Sequence, residues 1–167
     1  QEKNRRSGTE NVAGAVGMAV ALKEQMANLE ADSARLTALR DRLIAGLLKL
    51  PKSRLTGHPS DRLLSIASLG FGCIEGESIL LQLDARGICV SSGSACSSTA
   101  LEPSHVLLAI GRPHEVAHGS LRLSLCEYNT EAEIDYILKE LPNIVSYLRD
   151  MSPVWDELEK GQRPHLI

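Results

Sequence analysis

Aromatic residues make up only 3% of this 167-residue chain: one Trp, one Phe and three Tyr. A core built from it must therefore be filled by Leu, Ile, Val and Ala. Basic residues are not in excess. The 18 Lys and Arg stand against 21 Asp and Glu, a net charge of -3, so no electropositive surface argues for nucleic acid. No apolar run approaches the roughly 20 residues of a helical membrane span, and no membrane contact is expected. Close cysteine pairs are missing too. Cys73, Cys89, Cys96 and Cys126 lack the C-x-x-C spacing of a structural zinc site, and the five His are scattered, so no metal site is expected. Disulfides are not needed where an adequate core can form, which makes reduced thiols in a cytoplasmic protein the expectation. The chain starts at Gln1 with no initiator Met and no signal pattern; it reads as a segment of something longer.

What is present suits one domain with a real core: 43% hydrophobic and 23% charged residues. Val12, Val16, Val20 and Leu22 lie in an Ala-rich stretch that predicts a helix from Thr9 to about Ala27. Thr9 stands as its N-cap, and Glu10 and Asn11 fall in the first turn. Gly14 and Gly17 within it are expected to allow close packing against another element. A second helix is predicted over 30–49, where Leu36, Leu39, Leu43 and Leu47 form an apolar stripe that Pro51 ends.

The stretch 63–71 reads as a buried strand and 75–87 as a helix with Gly87 in the C′ position. A strand is predicted over 88–92, and a short helix from Pro103 through Ile110, closed by Gly111. Residues 120–129 alternate, with Leu121, Leu123 and Leu125 on one face and Arg122, Ser124 and Cys126 on the other. Thr130 and Glu133 form a capping box before Ile134, Ile137, Leu138 and Leu141. Pro142 should break or kink that helix. Residues 151–167, which hold the only Trp, read as a peripheral tail. The fold class is α/β (or α+β), a small sheet covered by helices on one side and preceded by a long bridging helix, with strand order undecided.

Three stretches bear on chemistry. "VSSGSACSSTALEPSH" (90–105) places Cys96 among small polar residues in a loop, about 91–102, that leaves a strand end. Unpaired cysteines usually hide in cores, whereas site loops spring from strand ends and a thiolate is a nucleophile. Arg122, mid-strand opposite three leucines, is either an edge-strand arginine facing water or a fork for a carboxylate. "RRSGTEN" (5–11) brings Arg5, Arg6, Ser7 and Thr9 to a helix N-terminus, where plain capping and phosphate binding are both open. His105 is read as structural. Cys89 and Cys126, within predicted strands, are expected to be buried, and Cys73 after "GFG" to be inert.

"RSGTEN" with its Ala/Gly helix, then "SSGSACSS", "LEPSHVLLAIG" and "AHGSLRLSLCEYNTEAEID" follow one another in this order. The chain so resembles the cysteine desulfurases of the NifS/IscS group, pyridoxal-phosphate enzymes of the class V aminotransferase superfamily. The likeness runs from Arg6 to about Leu141, and the tail "MSPVWDEL" looks more like the NifS branch. It implies the C-terminal small domain of a fold-type I transferase: residues 1–28 as the end of the cofactor domain and the bridging helix, 29–150 as the small domain, 151–167 as the tail.

The resemblance implies that Cys96 takes sulfur from L-cysteine as a persulfide and that L-alanine is released. It implies that Arg122 binds the substrate carboxylate and that Thr9 reaches the phosphate of pyridoxal 5′-phosphate in the opposite subunit of a homodimer. The sulfur would pass to an iron–sulfur scaffold of the NifU/IscU kind. Neither nucleic acid nor membrane enters this scheme. The family's cofactor-binding lysine, with the histidine and aspartate at the ring, is not matched: Lys3, Lys23, Lys49, Lys52, Lys139 and Lys160 stand in no His-Lys context. The segment alone is therefore expected to be inactive. A free-standing sulfur-relay or interaction module without cofactor catalysis is the alternative.

Overall fold

A computed structural model describes residues 3, 5–93 and 103–161. The chain divides into two compact units, Gln1–Ala34 and Arg35–Ile167.

The first unit holds a short lead-in and the opening turns of α1 (Val12–Leu47). Asn11, not Thr9, caps this helix: the Gly14 N–H donates to Asn11 Oδ1 at 2.9 Å. Asn is at least as good an N-cap as Thr, and Thr9 is left two residues outside. Gly14 makes room for the capping amide, with which a Cβ at that position would collide, while nothing lies within 4 Å of a Cβ at Gly17. Close packing against another element is thus not what either glycine serves among the described residues. The two predicted helices are one, because no Gly or Pro interrupts 18–45.

The second unit is built on a four-stranded antiparallel sheet of order β1-β2-β4-β3. Its strands are β1 (Ser53–Leu55), β2 (Ile66–Phe71), β3 (Ser91–Ser92) and β4 (Ser120–Ser124). Pairing sets Ala67 opposite Leu123 and Leu69 opposite Leu121, and these, with Phe71, form one buried face. Against it lie Leu39, Leu43, Ile44 and Leu47 of α1, Ile79 and Leu83 of α2 (Gly76–Asp84), and Ile134, Ile137, Leu141, Ile144 and Val145 of α5 (Glu131–Asp150). Aliphatic side chains do fill the core.

Both predicted glycine stops hold. Gly87 and Gly111 have φ of 74° and 80°. Each supports paired bonds: Ile88 N to Leu83 O and Gly87 N to Asp84 O, then Arg112 N to Leu107 O and Gly111 N to Leu108 O. Gly111 closes α3 (His105–Ala109), and a further short helix, α4 (His114–His118), follows.

Pro142 does not break α5, which runs unbroken on either side of it. A mid-helix proline costs about 3 kcal/mol in isolation, but here buried Ile137, Leu141, Ile144 and Val145 anchor both sides. The Asn143 amide also donates to Lys139 O at 3.1 Å. Within the tail, residues 153–159 form α6 (Pro153–Glu159), whose Trp155 ring covers the Arg149 guanidinium at 4.3 Å. Residues 162–167 lie outside the described residues.

The capping box is present in both directions, Thr130 Oγ1 accepting from Glu133 N and Glu133 Oε2 accepting from Thr130 N. The Thr130 backbone N–H, and then the Asn129 amide, hold the Glu133 carboxyl below its ordinary value. Thr130→Ala is expected to cost about 1 kcal/mol in denaturant unfolding. Glu133→Gln should destabilise the protein at neutral pH and converge with the wild type in acid. A carboxyl with a lowered folded pKa contributes above its ordinary pKa, and that contribution is lost as pH falls through the lowered value. A gap that stays constant with pH would show that the charge is not part of the cap.

Candidate functional site

Strand order places Arg122 in an interior strand, so the reading of it as an edge-strand arginine does not hold. Its neighbours across the sheet are Ser68 on β2 and Ser91 on β3. Leucine alternation sends Leu121 and Leu123 into the core and Arg122 and Ser124 to the opposite, exposed face. Among the described residues the Arg122 guanidinium makes no hydrogen bond or ion pair, and its flanking side chains are small and hydroxylated. An exposed fork between two serines is suited to an incoming carboxylate.

From Ser91 the chain runs through Ser92 and Gly93 into the Cys96 segment. Cys96 itself lies outside the described residues, but both ends of its segment are placed. A Cβ at Gly93 would collide with Ser120 Oγ and would lie 3.3 Å from Leu107 Cδ1 and from Ser104 Cβ. Gly93 and Ser104 therefore meet at one point, over the buried Ser120 at the start of β4. Only glycine permits that approach, which gives the glycine of "SSG" a steric reason. Leu107, buried on α3, seats the far end. The Ser120 hydroxyl has no hydrogen-bond partner among the described residues.

The structure thus brings Arg122 to the base of the Cys96 segment: Ser91, its cross-strand neighbour, is five positions before that cysteine. Thr9 is exposed and belongs to the other unit. Its hydroxyl makes no hydrogen bond among the described residues, and Gly8 before it has φ of 100°. His105 is an exposed residue of α3. Cys89 and Cys126 are exposed rather than buried. β3 begins only at Ser91 and β4 ends at Ser124, so neither cysteine is inside a strand, and Cys126 also falls on the Arg122 side of the alternation. Sequence reading missed the Ser120–Gly93 contact, because a glycine among serines looks like loop composition.

A pyridoxal cofactor would need a lysine for its aldehyde, donors for its phosphate and a partner for its ring nitrogen. The described residues fit this group only at its rim. Thr9 offers one free hydroxyl, whereas Lys3, Lys23, Lys49, Lys139 and Lys160 are exposed and Lys52 is half-buried beside β1. None is enclosed as a carbonyl-binding lysine requires. Among the described residues no helix is long and apolar enough to cross a membrane.

These features meet in comparison with known proteins. The chain belongs to the aminotransferase class-V family, whose model matches residues 1–137. Within it, the chain is 54% identical over 154 residues to cysteine desulfurase IscS of Methanosarcina thermophila, a match covering 92% of this chain and 38% of that protein. It is 48% identical over 156 residues to cysteine desulfurase NifS of Azotobacter vinelandii, covering 93% and 39%. Among solved structures, a NifS-like protein matches with a TM-score of 0.75 at 35% identity, covering 89% of this chain and 37% of that one. A NifS-like protein from Rickettsia africae matches with 0.76 at 29% identity, covering 87% and 38%. The chain therefore spans about two fifths of the length of these relatives, as expected of a partial NifS/IscS.

The Gly93 contact is testable by a double-mutant cycle. Gly93→Ala should destabilise the protein by about 1–3 kcal/mol, the scale of overpacking. Ser120→Ala alone should be neutral or stabilising, since it removes a buried hydroxyl with no partner. Combined, the two should recover part of the loss in urea unfolding; strict additivity would show that the two residues do not touch.

Proposed function

We propose that the full-length protein containing this chain is a cysteine desulfurase, with Cys96 as sulfur acceptor, Arg122 as substrate clamp and Thr9 as phosphate ligand. The observation that carries this reading is the position of Arg122: an uncommitted guanidinium on an interior strand, paired with the strand that leads into the Cys96 segment. Relatives named cysteine desulfurase agree with it.

Arg122 receives the carboxylate of L-cysteine in two parallel N–H···O bonds, fixing the substrate beside the base of the Cys96 segment. Pyridoxal phosphate, held by Thr9 together with residues outside this chain, would supply the electron sink that weakens the carbon–sulfur bond. The Cys96 thiolate attacks the substrate sulfur, a sulfur–sulfur bond forms, the carbon–sulfur bond breaks, and L-alanine leaves once its carbon is protonated. A persulfide on Cys96 is the product that moves on. Thr9 would donate a hydrogen bond from its hydroxyl to the cofactor phosphate of the opposite subunit in a homodimer. The acceptor of the sulfur is an iron–sulfur scaffold protein of the NifU/IscU kind, and the setting is the cytoplasm.

Cys96→Ala in the full-length protein should abolish alanine release while the cofactor's absorbance is kept. Peptide mass analysis after cysteine should find one reductant-labile sulfur on the Cys96 peptide of the wild type and none in the variant. Alanine release that survives in the variant would move the acceptor elsewhere. Arg122→Lys keeps the charge and loses the fork, and should weaken cysteine binding by about 1–3 kcal/mol. An unchanged Michaelis constant would place the carboxylate on another residue.

A further inference from the structure

Scattering along the chain argues against a metal centre, yet two of the five histidines lie four residues apart. They stand at the two ends of α4, whose residues are His114, Glu115, Val116, Ala117 and His118. This is H-E-x-x-H, an order in which one helix face offers two imidazoles to a single cation.

The structure brings the two rings together. Their centroids are 4.6 Å apart and their planes are inclined at 61°. A divalent cation about 2.0–2.1 Å from each coordinating nitrogen needs imidazole centroids roughly 4.5–5.5 Å apart. Parallel, stacked rings could not aim in-plane lone pairs at one point, whereas inclined planes intersect and allow it. His114 is exposed and His118 half-buried, so an ion can reach the pair from solvent.

The backbone beneath both rings is fixed. Ala117 N donates to Pro113 O at 2.9 Å, and Ala117, 2% exposed, plants the helix. Beyond His118, Phe71 N donates to Gly119 O at 2.8 Å, and a Cβ at Gly119 would collide with Phe71 O. Ligands carried on a backbone so held lose little freedom on binding, the condition for a preorganised site. Among the described residues no third His, Cys, Asp or Glu joins the pair, and Glu115 has an interaction of its own. Two protein ligands leave the remaining coordination positions to water or to a donor that arrives with a bound molecule.

We propose that His114 and His118 form an open two-histidine site for a borderline divalent metal ion of the zinc class. Neutral imidazole is the commonest ligand for such ions, whereas magnesium and calcium prefer oxygen. The site is built on α4 alone and does not depend on Cys96 or Arg122.

Diethyl pyrocarbonate acylates the free nitrogen of an imidazole, and a metal-bound nitrogen has no lone pair with which to react. The test exposes the full-length protein to this reagent at neutral pH with increasing zinc chloride, and follows each histidine by peptide mass spectrometry. His58 and His105, both exposed, serve as references in the same sample. With zinc about tenfold above its dissociation constant, His114 and His118 are expected to react about tenfold more slowly, in step with each other, while the references keep their rates. In His114→Ala, His118 should lose its protection at that concentration, and His118→Ala should do the same to His114. The proposal is overturned if millimolar zinc protects neither or only one of the pair, or protects His58 and His105 equally. It is also overturned if the remaining histidine of a folded variant stays protected. Since the wild type alone supplies the first comparison, a variant that fails to fold does not remove the test.

Discussion

The antiparallel pairing of β2 with β4 carries a strict period of two, and one of its faces is entirely apolar. Ala67 and Leu69 face the same side as Leu123 and Leu121, and the helices that make the core all dock there. A slip of one residue in either strand would drive its leucines into water, and in β4 it would also turn Arg122 into the core. Burying an unpaired guanidinium costs several kcal/mol, more than a hydrophobic side chain gains on burial, roughly 1.5–3 kcal/mol. The outward aim of Arg122 is therefore enforced by the core behind it. No contact on the open face is needed to hold it there.

The same strand positions the Cys96 segment. Ser91 and Ser92 pair with Arg122 and Leu121, and one residue later Gly93 closes over Ser120. Hydrogen-bonded register fixes one end of the segment, and a contact that excludes any Cβ joins it to the other. Arg122 and the segment's base belong to one pair of hydrogen-bonded strands, so the distance between them is fixed. This is the economy of building a site on a strand rather than between loops.

Periodic features were legible in the sequence because burial imposes its own repeat. The β4 alternation, the leucine stripe of α1, the capping box and the glycine stops at Gly87 and Gly111 each follow from a local rule with a steric or hydrogen-bonding cause. What was not legible depended on partners distant in sequence. Pro142 looked like a helix break because its cost is local, whereas the packing that offsets it comes from Ile137, Leu141, Ile144 and Val145 against the sheet. The three-residue β1 has too little pattern to be seen without β2 beside it. Cys89 and Cys126 were misplaced because β3 and β4 are shorter than their apolar runs suggest. For the site, Arg122 and the Cys96 segment stood out by residue type, while their adjacency needed the strand order.

Arginines in this chain differ less in burial than in how many of their donors are already used. Arg35 gives both Nη groups to the carbonyls of Asn129 and Glu127, at 2.7 and 2.5 Å, and so ties α1 to the turn before α5. Arg40, buried, spends Nη1 on Leu63 O and its Nε and Nη2 on Asp41. The donors that Arg35 and Arg40 use in this way hold the fold together. Arg122 and Arg149 use fewer of their donors among the described residues, and their settings differ. On an exposed face between serines, the donors of Arg122 are open to solvent. In the corner under Trp155, Arg149 gives its Nε to Gly72 O and keeps an Nη2 with no hydrogen-bond partner among the described residues. Burial alone would rank Arg40 beside Arg149 and overlook Arg122.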